Sequence, residues 1–266
     1  MTRNQLVREI RAKKSYLCVG LDTDIAKIPG HLLSEADPLF EFNKRIIDAT
    51  KDFCVSYKIN TAFYESMGLK GWEAMAKTAD YIPPTHLKIA DAKRGDIGNT
   101  STQYAKAFFE TLAFDAITVS PYMGEDSVRP FLEYPDKWTI VLGLTSNPGA
   151  ADFELGRSGE EYLYEKVLRT VSGWGSVENL MFVIGATKAA WFEKIRQITP
   201  DHFYLVPGVG SQGGSLSEIS EKAINKDIGL LLNVSRAIIY DSGGEDFDTK
   251  AAAQAAIYQK QMEVYL

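Results

Sequence analysis

The sequence predicts an α/β protein, a single (β/α)8 TIM barrel occupying residues 1–266 as one domain. Three observations point there. Eight apolar runs of strand length recur along the chain, polar segments with helical spacing separate them, and 266 residues is an ordinary length for one such barrel. Most of the runs are continuously apolar rather than alternating, as expected of parallel strands covered on both faces. A doubly wound open sheet would more often stop at five to seven strands.

The elements follow in order. "MTRNQLVREIRAKKS" reads as a charged amphipathic helix, and it lacks the apolar stretch of a secretory signal. The predicted strands are "SYLCVGLD", "CVSYKIN", "HLKIADAK", "AITVSPY", "WTIVLGLTS", "LMFVIGAT", "HFYLVPG" and "IGLLLNVS". Between them, "DPLFEFNKRIIDATKDF", "TSTQYAKAFFETLAF", "GEEYLYEKVLRTVSGW" and "SLSEISEKAI" carry apolar residues at helical spacing. The longest excursion, "NPGAADFELGRSG" after the fifth strand, reads as a loop over the strand ends.

Composition narrows the function. Apolar residues make up 45% of the chain, enough for a large core without disulfides or metals. The two cysteines, Cys18 and Cys54, lie in apolar runs and read as small core residues of a reduced, cytoplasmic protein. No run reaches membrane-spanning length. The 29 basic residues are dispersed against 35 acidic ones, for a net charge of −6, which argues against a nucleic-acid partner and leaves room only for a local anion site. His31, His86 and His202 stand before strands or in a long loop and read as structural or surface residues. No metal-ligand spacing is present, so no metal is expected.

In a barrel of this kind the loops after the strands build the active site, which makes polar residues at those ends informative. They are Asp22 and Asp24, Lys58 and Asn60, the cluster "DAKRGD", Thr145 and Ser146, "GVGSQGG", and Ser235 with Arg236. By strand alternation Asp91 and Lys93 share a face, and Asp96 follows in a loop or at a helix start capped by Asn99 or Thr100. Read without its position, D-x-K-x-x-D is more readily a solvated ion-pair patch. At a barrel strand end, joined by Lys58 from the neighbouring strand, it becomes an alternating array. Such an array is nearly neutral as a whole, tolerates burial, and keeps its lysines charged. A cationic lysine held there is a proton donor to a developing carbanion. The G-x-G-x-x-G within "PGVGSQGGS" is literal, but it falls at strand seven with no acidic residue ending the next strand, so a phosphate loop is favoured over a dinucleotide fold. Arg236 supplies the matching charge.

These residues resemble the orotidine 5′-phosphate decarboxylase family, in its longer bacterial branch, across essentially the whole chain. The specific signature is D-x-K-R-x-D-I-x-x-T from Asp91 to Thr100, flanked in family order by Asp22, Lys58, Ser146, Gln212 and Arg236. The resemblance implies a homodimeric barrel converting orotidine 5′-phosphate to uridine 5′-phosphate and CO2 in pyrimidine biosynthesis, with neither cofactor nor metal. It implies Lys93 as the acid that protonates C6 and Asp91 beside the departing carboxylate. Lys58 and Asp22 would hold the ribose hydroxyls, while Asp96 and Thr100 reach the partner's site. Ser146 would read the pyrimidine, and Gln212, Arg236 and the backbone at Gly210 would hold the phosphate. One departure is Asn147-Pro148-Gly149, where compact members often carry His-Pro-Gly. Two other readings stand at this point. One is a magnesium-dependent sugar-phosphate decarboxylase or aldolase of the same superfamily, which needs an acid where Lys58 stands. The other is a non-catalytic nucleotide-phosphate binding barrel.

Overall fold

The computed structural model of the protein describes residues 1–210 and 213–266. Eight parallel strands close into a barrel: Leu17–Gly20, Ser56–Asn60, Leu87–Arg94, Ala116–Val119, Trp138–Leu144, Leu180–Ile184, Phe203–Pro207 and Leu230–Val234. The first strand pairs with both the second and the eighth, so among the described residues the barrel has no free edge. All eight expected runs form strands, seven of them shorter than the run and the third, Leu87–Arg94, as long as its run but shifted by one residue. The residues left over at the carboxyl ends, among them Asp22, Ser146 and Ser235, become the starts of loops. Apolar side chains from every strand form one continuous core with the surrounding helices. Cys18 and Cys54 are free and buried within it, and burial pushes both thiols up, to about 11 and about 12.

The amino end of the barrel is closed by the helix Arg3–Lys13. Thr2 and Gln5 form its capping box, and Lys14 ends it in the left-handed conformation (φ 49°). Arg3 anchors it from below. Its guanidinium donates to the carbonyls of Val177 (2.8 Å) and Asp201 (2.7 Å) and to Asp227 (3.0 Å), residues that precede the sixth, seventh and eighth strands. The N-terminal ammonium bonds Asp115 at 2.9 Å, just before the fourth strand.

Two local expectations change. The helix after the third strand runs Gly98–Lys106 with Ile97 at its N-cap, not Asn99 or Thr100. Gly98, at φ 49°, lets the chain turn directly into the helix, and the Asp96 carboxylate takes the N–H of Ile97 at 2.8 Å. The excursion after the fifth strand is not a bare loop either. It contains the turn Pro148–Ala151 and a two-residue antiparallel pair, Arg157–Ser158 with Glu161–Tyr162. Among the described residues no helix is long and apolar enough to cross a membrane.

Candidate active site

At the carboxyl end of the barrel, four charged side chains from the first three strands and their loops form a continuous chain. Lys58 Nζ donates to Asp22 Oδ1 at 3.3 Å and to Asp91 Oδ2 at 2.9 Å, and Lys93 Nζ donates to Asp91 Oδ1 at 2.6 Å. The parallel register places these groups together, setting Lys58 opposite Ile89 and Asn60 opposite Asp91. Lys58 keeps only 4% of its side chain exposed, while 52% of Lys93 remains accessible. Burial alone would lower the Lys58 pKa, but the charges of Asp91 and Asp22 and the hydrogen bond to Asp91 outweigh it, so the ammonium is held well above its ordinary range. Burial likewise opposes ionisation of Asp91, yet Lys58 and Lys93 hold its carboxyl well below the usual range. Lys58 and Asp91 are therefore both charged at neutral pH. The alternation expected from Lys58 through Asp96 is corrected in one respect: within one chain it runs Asp22, Lys58, Asp91, Lys93, because the Asp96 carboxylate is turned to the N–H of Ile97.

Asp91 and Lys93 do line one cavity, but not through simple strand alternation. The third and fourth strands pair Ala90 with Ile117 and next Arg94 with Val119, so Asp91, Ala92 and Lys93 stand opposite Thr118 alone. Lys93 takes up the excess at φ 47°, a left-handed conformation that costs a lysine on the order of 1 kcal/mol. Its N–H is satisfied off the ladder by Thr118 Oγ1 at 2.9 Å, and the same hydroxyl donates to Asp91 Oδ1 at 3.1 Å. The following Arg94 is tied down by Glu65 and by the carbonyl of Ala92 at 3.0 Å, with its guanidinium 5.5 Å from the ring centre of Tyr104.

Lys58, Asp91 and Lys93 form one side of a cavity of about 210 Å3. Its other walls are apolar, from Leu142, Val183, Leu205 and Pro207, with Thr145, Ser146 and Asn147 at the rim. A flat base with a charged group at one edge fits such a space. A larger, mostly apolar cavity of about 580 Å3 lies on the other side of Leu142, toward Tyr122, Phe153 and Tyr164, but it lacks the charged array. Glu154, from the excursion, receives the N–H of Thr145 (2.6 Å) and the Thr145 hydroxyl (2.8 Å) and so pins the turn that carries Ser146. Gly185 makes room for that turn, since a Cβ there would lie 2.5 Å from Ser146 N.

The remaining expected residues are spread around the mouth. Thr100 is exposed in the first turn of its helix. Arg236 opens the short helix Arg236–Ile239 directly after the eighth strand. Gly208 and Gly210 both have positive φ (96° and 73°), and the Gly210 N–H is donated to the Gly214 carbonyl at 3.2 Å. Gln212 lies outside the described residues. Asn60 caps the helix that follows it, and Asp24 receives the N–H of Ala26, so both serve the local backbone. Tyr240, unnoticed in the sequence, receives the Asp24 N–H at 2.7 Å and donates to the Asp22 carbonyl at 3.2 Å, joining the loops after the first and eighth strands. Thr118 and Glu154 were also unnoticed, since nothing in their own neighbourhoods marks them.

Comparison with known proteins bears on this arrangement. Residues 15–252 match the model of the orotidine 5′-phosphate decarboxylase / HUMPS family. The chain is 57% identical to orotidine 5′-phosphate decarboxylase of Christiangramia forsetii, over 98% of this chain and 97% of that one. It is also 57% identical to the enzyme of the same name from Phocaeicola vulgatus, over 99% and 98%. Its fold superposes on Leishmania donovani OMP decarboxylase with a TM-score of 0.86 and 36% identity, covering 100% of this chain and 98% of that one. Since the matched segment takes in every barrel strand together with the whole Asp22–Lys58–Asp91–Lys93 array, and relatives this similar span nearly the full length, the chain belongs to the orotidine 5′-phosphate decarboxylase family.

Proposed function

We infer that the protein decarboxylates orotidine 5′-phosphate to uridine 5′-phosphate and CO2 in pyrimidine biosynthesis, with residues 1–266 working as one catalytic domain. The observation that carries this reading is the alternating charged array along one side of a cavity whose other walls are apolar. The pyrimidine lies against Leu142, Val183 and Leu205 with C6 toward Lys93. Asp91 stands beside the substrate carboxylate, where two like charges raise the ground state. The C6–carboxylate bond breaks, CO2 leaves, and the electron pair stays on C6. The Lys93 ammonium, already in place, stabilises that charge and delivers the proton. Lys93 regains a proton from solvent. Lys58 and Asp22 take the ribose hydroxyls, Ser146 the base, and Arg236, Gln212 and the backbone near Gly210 the phosphate, whose binding energy orients the base. The magnesium-dependent alternative suits this site poorly, because the position where an acid is needed holds a lysine already bonded to two carboxylates.

The site is completed by a second copy of the chain in a homodimer, to which Asp96 and Thr100 are contributed. In support, the segment bearing them is flanked by exposed apolar side chains, Ile97 at 59% and Met123 at 47%, and Asp96 is not drawn into its own chain's array. Loss of orotidine 5′-phosphate absorbance on adding purified protein tests the reaction. Lys93→Ala should then lower kcat by at least about 10³-fold while uridine 5′-phosphate still binds. Near-normal kcat in that variant rejects Lys93 as the proton donor. Turnover unchanged by EDTA is expected; abolition by EDTA with recovery on adding Mg²⁺ returns the sugar-phosphate reading.

A further inference from the structure

We propose that Thr118 is a positioning residue, whose hydroxyl sets the relative placement of Asp91 and Lys93; this rests on the reading of those two residues given above. Three features converge on it. Thr118 is 1% exposed, so its hydroxyl must find protein partners, and it uses both capacities at once. It accepts the N–H of Lys93 at 2.9 Å and donates to Asp91 Oδ1 at 3.1 Å. That carboxylate oxygen is also the one that holds Lys93 Nζ, at 2.6 Å. A closed circuit results, from the Lys93 backbone through Thr118 and Asp91 to the Lys93 ammonium.

The backbone explains why such a circuit is needed. Between two regular pairings, three residues of the third strand face Thr118 alone, and Lys93 sits at φ 47°. The ladder therefore offers no ordinary partner to the Lys93 N–H, and a lysine does not hold that conformation unaided. With Thr118 in place, the N–H is satisfied at one end of the side chain while the ammonium is aimed at the other. Without the hydroxyl, Lys93 can relax toward extended backbone, which changes the direction of its Cα–Cβ bond. Asp91 at the same time loses one of three donors.

The experiment compares Thr118→Val, which keeps the shape and removes the hydroxyl, with Thr118→Ser, which keeps the hydroxyl. For Thr118→Val, kcat should fall by about 10- to 100-fold, as for a small misplacement of a reacting group, with the uridine 5′-phosphate dissociation constant changed by less than about 3-fold. Thr118→Ser should recover kcat to within about 3-fold of wild type. A folded Thr118→Val protein with wild-type kcat, in an assay where Lys93→Ala is inactive, overturns the role of Thr118 and leaves Lys93 standing. Full activity in Lys93→Ala overturns instead the reading on which this one rests. Equal losses of kcat and nucleotide binding in Thr118→Val, or no recovery in Thr118→Ser, also reject positioning, since a merely structural residue behaves that way. Should Thr118→Val not fold, Thr118→Ala against Thr118→Ser carries the same comparison.

Discussion

Two lysines at opposite ends of the barrel, Lys13 half-buried and Lys58 buried, are driven in opposite directions. At the amino end, Lys13 donates to the carbonyls of Lys51 and Cys54, both at 3.0 Å, and meets His86 Nε2 at 2.7 Å. Burial lowers its pKa, because carbonyl dipoles and a neutral ring do not replace the lost hydration. At the carboxyl end, Lys58 is more deeply enclosed, yet Asp91 and Asp22 push it up. The same contrast holds more widely. Arg196, at the amino end, bonds the carbonyls of Ala223, His202 and Gly229, and burial lowers it to about 10. Below, Lys13 and Arg196 tie loop carbonyls together, and even the carboxylate-paired Arg3 directs two of its bonds to carbonyls, whereas above, Lys58 and Lys93 are matched by carboxylates alone. This is the division of labour expected between the two ends of a (β/α)8 barrel.

The largest effect that would break this contrast concerns the shared site. Lys93→Ala and Asp96→Ala homodimers should each be nearly inactive. Refolded together in equal amounts, half the dimers are mixed and each holds one intact site, so about a quarter of wild-type activity should return. If mixed dimers form and nothing returns, Asp96 acts within its own chain.

Next in size, if Arg236 holds the phosphate as proposed, Arg236→Ala should lower kcat/KM by roughly 100-fold, more than it lowers kcat, since a charge-assisted contact far from C6 would be lost. An unchanged KM in steady-state assays takes Arg236 out of the site.

The amino end should respond in the other currency. Arg3→Ala removes a cation that bridges three loops and should cost roughly 2–4 kcal/mol of stability in urea denaturation, with kcat per folded molecule unchanged. A large fall in kcat there would erase the distinction between the ends.

The smallest effect is a pH dependence. Burial and, less strongly, nearby cations hold His86 and His202 down, each to about 4. The folded state therefore keeps them neutral where the unfolded chain binds protons. Their contribution is complete above the unfolded value near 6.5 and is lost as pH falls from there toward 4, up to roughly 3 kcal/mol for each. His202 has no protein partner for either ring nitrogen among the described residues, and it packs 5.4 Å from the Phe182 ring centre. His202→Phe should accordingly flatten the urea midpoint between pH 6.5 and 4 and cost less than about 1 kcal/mol at pH 7. An unchanged slope would mean that His202 is not held neutral by burial.

Most of the architecture follows from the sequence alone. Eight apolar runs with helical segments between them suffice for the barrel, because a strand covered on both faces and a helix covered on one leave different periodicities in the chain. The ends of those runs also locate the mouth, and with it Asp22, Lys58, Asp91 and Lys93, since charge at the end of an apolar run is a local signal. What only the tertiary structure decides are the partners across strands. Thr118 lies 25 residues from Lys93, and its polarity is unremarkable inside "AITVSPY" until the two strands lie side by side. Glu154 is one acid among several in its excursion until it folds back onto Thr145. The left-handed turn at Lys93 and the withdrawal of Asp96 from the array have the same origin. Periodicity records which face a residue turns to the core, but the angle at which a lysine meets its carboxylate is set by pairing register, a long-range property that no local pattern contains.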